Sequence, residues 1–132
     1  MAGKKNKKQD IEAKKENKKF KPKRRFRINK KLDGKTGIIF IGHEDPFLYF
    51  PDMMSYLSRE EIDSIHLKAR GKAIANAVNV AEQFKNRFNN EIKTNVDNVS
   101  IGTEEVTRKD KKGKIKMSFI DINMSRIEEI KD

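Results

Sequence analysis

Ile65-His66-Leu67-Lys68-Ala69-Arg70-Gly71-Lys72-Ala73-Ile74-Ala75-Asn76-Ala77-Val78 is the stretch whose reading decides the fold. Ile65, Leu67 and Ala69 alternate with His66 and Lys68, the period of two that marks a half-buried strand. Beyond Arg70-Gly71 the period changes. Ile74, Ala77, Val78, Ala81, Phe84 and Phe88 recur at helical spacing, and Asn89-Asn90 ends the run. The reading is a strand over Ile62–Ala69 and a helix over Lys72–Phe88, joined by a sharp turn in which Gly71 is expected at positive φ. A helix that starts behind such a turn presents unpaired N–H groups and a partial positive charge, a natural seat for a phosphate flanked by Arg70 and Lys72. The plainer reading of those two cations is exposed surface charge.

Upstream, Gly37-Ile38-Ile39-Phe40-Ile41-Gly42 is a short apolar run between glycines and reads as a buried strand. His43-Glu44-Asp45 follows as a loop. Asp45-Pro46 has the form of an N-cap with proline at the first helical position, yet Pro51 falls where it would interrupt that helix. The helix therefore kinks or starts at Pro51, and ends near Leu57. Phe47-Leu48-Tyr49-Phe50 is either core or an exposed aromatic patch for a protein partner.

Downstream, Asn95–Thr107 and Lys114–Arg126 read as long strands joined by a hairpin. In the second, Ile120, Ile122 and Met124 share one face while Ile115, Met117 and Phe119 have the opposite parity, so a bulge or face switch is expected near Phe119. The element order β-α-β-α-β-β predicts an α/β (α+β) domain. Its expected form is a two-layer sandwich, a four-stranded mixed sheet with two helices on one face.

Charge divides the chain. Of its 132 residues, 1–34 hold 15 Lys/Arg against 4 Asp/Glu, whereas 35–132 hold 16 of each, so the first segment carries the entire formal charge of +11. Residues 1–34 read as a basic, disordered N-terminal arm, and 35–132 as a neutral folded domain. A cationic arm suits a polyanion, because each Lys or Arg that neutralises a phosphate releases counterions. The plainer use of a Lys-rich tail is solubility. In the arm, Phe20, Phe26 and Ile28 lie among Lys21, Lys23, Arg24, Arg25 and Arg27. Aromatics between cations can stack on bases while the cations hold phosphates, or these apolar residues can dock on the domain and anchor the arm. The hairpin tip, Arg108, Lys109, Lys111, Lys112, Lys114 and Lys116 with one Asp, is a second cationic cluster.

Several matches in order resemble the Alba family. Lys68-Ala69-Arg70-Gly71 followed by Ala73-Ile74 and Ala77-Val78 is similar to the family's strand-end and helix signature, and Asn86-Arg87-Phe88 to the end of that helix. Val99–Thr107 is similar to the strand entering the family's basic hairpin, and Ile120–Met124 to the strand that closes it. The resemblance covers residues 38–127 and leaves the arm out. It implies a dimer, with itself or with a related chain, that binds DNA and/or RNA. Lys68, Arg70 and Lys72 would meet phosphates at the turn, and the hairpin cations would reach along a groove. Arg87 and Phe88 match positions of dimer–dimer contact. The chain departs from the family where a Lys pair usually precedes the proline, since His43-Glu44-Asp45 stands there. It departs again at Asn76, where a Lys is often found.

Other chemistry is not assembled. Gly34-Lys35-Thr36 has the end of a P-loop without its earlier glycine, Asn29 standing in that place, or a preceding strand. His43-Glu44-Asp45 has no fourth metal ligand, and His66 no Ser or Cys nucleophile to serve. With no Cys, no secretory leader and no apolar run of transmembrane length, the expectation is a non-enzymatic, cytoplasmic or chromosome-associated protein without cofactor or membrane partner. A chromatin-type coat on duplex DNA, an RNA-binding ribonucleoprotein subunit and a protein–protein adaptor are the functions to be told apart.

Overall fold

The computed structural model describes residues 27–107 and 113–127. Among these residues, five strands and two α-helices form two layers. They are β1 (Asn29–Asp33), β2 (Thr36–Phe40), α1 (Phe50–Leu57), β3 (Ser64–Arg70), α2 (Ile74–Arg87), β4 (Thr94–Thr107) and β5 (Lys114–Arg126). Short 3-10 turns, Pro46–Tyr49 and Gly71–Ala73, lead into the two helices. The sheet order is β1-β2-β3-β5-β4. β2 and β3 are parallel and every other pair is antiparallel.

The register explains the core. Ile39 lies beside Leu67, which lies beside Ile122, and Ile65 and Ala69 face Met124 and Ile120, so one row of apolar side chains crosses three strands on the helix side. From α2, Ala77, Val80, Ala81 and Phe84 are buried against that row. Phe84 is met by Phe50 of α1 and by Phe88, with ring centroids 5.7 and 4.9 Å away, and Phe50 and Phe88 meet edge-on at 5.6 Å. Thus Phe88 is half-buried against its own domain's aromatic cluster.

Three expectations are corrected, and the open choice over the first helix is settled near Pro51. The sheet has five strands, because Asn29–Asp33, read with the arm, pairs with β2. Gly34 (φ 65) opens the two-residue connection to β2, the position a type II′ hairpin reserves for glycine. Lys30 ion-pairs with Asp52 of α1 and lies over the Tyr56 ring. Second, β5 runs without a bulge at Phe119; the register shift falls in β4, between Val96 and Asn98. Ile115, Met117 and Phe119 simply face away from the helices. Third, the buried stripe of α2 includes Val80 and leaves Val78 43% exposed. Both proline signals are used in succession: Pro46 begins the 3-10 turn and Pro51 lies in the first turn of α1, where a missing N–H costs nothing. Of the aromatic run, Tyr49 and Phe50 are core and Phe47 is 56% exposed. Among the described residues no helix is long and apolar enough to cross a membrane.

Candidate nucleic-acid interface

The parallel strands β2 and β3 end at the same edge of the sheet, and the cationic features gather there. β3 ends at Arg70, and Gly71 turns the chain at φ 61 into the 3-10 turn that carries Lys72 and leads into α2. A Cβ at Gly71 would lie 3.3 Å from the Met117 sulfur, so close packing against β5 as well as backbone geometry calls for glycine. Lys72 is exposed and has no acidic partner among the described residues.

The β4–β5 hairpin leaves the sheet at this end. Arg70 pairs with Phe119, the last pairing between β3 and β5, while the β4–β5 ladder continues from Gly102–Phe119 out to Thr107–Lys114. Five further residue pairs form a two-stranded ribbon, roughly 16 Å long at the usual strand rise. Lys114 and Lys116 are exposed on it. Arg108, Lys109, Lys111 and Lys112 lie outside the described residues, as do Lys21, Lys23, Arg24 and Arg25.

Arg27 is the first described residue. It lines a small cavity with Phe40, Gly42 and His43, and so lies at the end of β2. The sequence position at which the basic segment joins the domain is therefore at the same end of the sheet as the Arg70–Lys72 turn and the ribbon.

Several cations of the domain face a carboxylate. Arg70 Nη1 donates to Glu104 Oε2 at 3.0 Å, Lys68 Nζ lies 3.6 Å from Asp121 Oδ2, and Lys114 Nζ lies 4.0 Å from Glu105 Oε1. Such exposed pairs contribute between nothing and about 1 kcal/mol each, so a phosphate can replace the carboxylate at little cost. Lys68 is not at the turn itself; it stands two residues back on the open face, in a row with His66, whose Nδ1 is 2.7 Å from Asp121 Oδ1. Arg87 is exposed at the far end of α2, away from the turn.

The acidic loop after β2 has a structural clasp that the sequence did not reveal. Asn76 Nδ2 donates to the carbonyls of Gly42 and Glu44, at 2.9 and 2.8 Å, and the Gly42 N–H donates to Tyr49 Oη at 2.9 Å. The two N–H donors of the side-chain amide are both used on backbone carbonyls of the loop. Position 76 thus fixes the loop on α2.

Residues 38–100 match the family model described as Alba. The protein named DNA/RNA-binding protein Alba of Methanococcus maripaludis is 32% identical over 85 residues, 64% of this chain and 92% of that protein. Its namesake in Methanocella arvoryzae is 33% identical over 89 residues, 67% and 88% of the two chains. Among solved structures, Alba from Thermoplasma volcanium is similar with a TM-score of 0.59 and 29% identity, over 67% of this chain and 99% of that one.

Proposed function

Because the chain belongs to the Alba family, we propose that it is a non-enzymatic nucleic-acid-binding protein that grips phosphate backbones at one end of its sheet. One observation carries this reading. The junction with the basic segment at Arg27, the Arg70-Gly71-Lys72 turn and the root of the β4–β5 ribbon all stand at that end. On this reading Arg70 and Lys72 hold phosphates beside the start of α2, Lys68 supports them from the open face, and Lys114, Lys116, Arg108, Lys109, Lys111 and Lys112 extend the contact along a groove. Lys21, Lys23, Arg24, Arg25 and Arg27 supply long-range attraction. Phosphate contacts position a protein without reading bases, so binding is indifferent to sequence.

The domain acts as a dimer on this reading, with a second copy of the chain. Val99 and Ile101 are 50% and 78% exposed although they stand beside buried Ile122 and Ile120 on the helix side of the sheet. β4 is the edge strand there, and a second copy is the natural cover for apolar side chains on it. Arg87, exposed at the end of α2, is left for contact between dimers, with Phe88 reinforcing it from the aromatic cluster.

Titration of the full chain with duplex DNA and with structured RNA at a series of salt concentrations tests the function. A steep fall of affinity with salt, and equal affinity for unrelated sequences of one length, is the expected result. Binding to neither polymer at low salt overturns it.

A further inference from the structure

The face of the sheet that no helix covers carries two aromatic rings among mostly polar side chains, with Ile38 buried on β2 and Ile115 and Met117 half-buried on β5. His66, Lys68 and Arg70 project from β3 on this side, with Asp121 and Asn123 from β5 beside them. Phe40, the neighbour of Lys68 on β2, is 36% exposed, and Phe119 is the neighbour of Arg70 on β5. A groove of about 640 Å³ runs between the rings, with Lys68, Arg70 and Asn29 among its lining residues. Its size is within the roughly 300–1,000 Å³ of small-ligand sites.

We propose that this groove receives an unpaired segment of a polynucleotide, whose bases stack on Phe40 and Phe119 while Lys68 and Arg70 hold its phosphates. The inference rests on the nucleic-acid reading above and adds a second mode to it, which shares Lys68 and Arg70 with the backbone grip and differs from it in the stacked bases. The rings stand on strands separated only by β3, about 10 Å apart laterally and offset by two residues, about 7 Å, along the strands, a span that two bases of one extended strand can bridge. Phe119 is held in place. Its ring covers Gly102, where an added Cβ would come within 2.6 Å of it, so the platform is formed before a ligand arrives. Neighbouring carboxylates do not repel the phosphates freely, since Asp121 is shared between His66 and Lys68 and Glu104 is paired with Arg70. An aromatic platform edged with cations favours single strands, because the faces of bases are inaccessible in a duplex.

The test uses the full chain with short labelled oligouridylate and oligothymidylate, and with a DNA duplex. Replacing both rings, Phe40→Leu with Phe119→Leu, is expected to weaken single-strand binding about fivefold or more for each base that no longer stacks and to leave duplex affinity unchanged. The chain contains no Trp, so Phe40→Trp places a sole indole on the groove. Its emission is expected to be quenched by either oligonucleotide and not by the duplex, a readout that survives if the double variant folds poorly. Unchanged single-strand affinity in a folded double variant, or an unquenched Trp in the single-strand complex, overturns the groove while duplex binding leaves the main reading intact. Failure of the unmodified chain to bind either polymer overturns both.

Discussion

Arg70 reaches across β5 to Glu104, its Nη1 donating to the carboxylate at 3.0 Å. The cation assigned to a phosphate is therefore already occupied in the free domain, by a carboxylate from the strand that continues into the ribbon. Binding must exchange that carboxylate for a phosphate. Removing the charge, Glu104→Gln, is expected to raise affinity for duplex DNA by a few-fold, in keeping with the roughly 0–1 kcal/mol of an exposed pair. Fluorescence anisotropy at fixed low salt measures it. A weaker complex would mean that Glu104 positions Arg70 instead of competing for it.

Removal of residues 1–26 takes away 12 Lys/Arg and 3 Asp/Glu while sparing β1. The truncated chain should melt cooperatively and bind more weakly. Its slope of log affinity against log salt should be shallower, by about 0.9 for each duplex phosphate that is no longer neutralised. An unchanged slope would remove the basic segment from the binding account. A cut at residue 34 is a different experiment, since it strips β1 from Ile38 and Ile39.

Gly71→Ala should destabilise the domain by about 1–2 kcal/mol, the cost of a left-handed backbone for an L-residue, with the nearby Met117 side chain adding to it. Thermal melting gives the value. An unaltered melting temperature would show that the turn relaxes easily and does not fix Arg70 and Lys72 relative to α2.

Ile101→Glu places a charge at the most exposed large apolar residue of β4. Light scattering should find a dimer for the unmodified chain and a folded monomer for the variant, because the position contributes little to its own domain's core. A monomeric unmodified chain at high micromolar concentration would contradict dimerisation.

Much of this arrangement was legible in residues 65–78, where the switch from period two to helical spacing around one glycine located β3, the turn and α2. β1 was not legible. Asn29-Lys30-Lys31-Leu32-Asp33 has one apolar residue and no alternation that faces a core, and it is held by its ladder to β2 and by Lys30 on Asp52 and Tyr56. Asp33-Gly34 was the available hairpin signal. Helical spacing places Val78 in the apolar stripe of α2, yet Val80 is the buried one; both fit stripes through Ala77 and Ala81, and only the layer packed on α2 decides which turns inward. The departure at Asn76 was read as a missing cation, whereas its clasp on Gly42 and Glu44 joins residues more than thirty positions apart. The same is true of Arg70 with Glu104, and of the gathering of Arg27, Arg70 and the ribbon at one edge, which parallel pairing of β2 with β3 creates.

The central claim is that the Arg70–Lys72 turn is the phosphate grip of the folded domain. Its most direct test is the double variant Arg70→Ala, Lys72→Ala in the chain lacking residues 1–26, where the basic segment cannot mask the effect. Affinity for duplex DNA and for structured RNA should fall together, by roughly tenfold or more given about 1.5–3 kcal/mol for a hydrogen bond to a charged group. The loss should be the same across unrelated sequences, with the melting temperature unchanged because both side chains are exposed. A double variant that binds both polymers as tightly as its truncated parent would place the grip elsewhere on the domain.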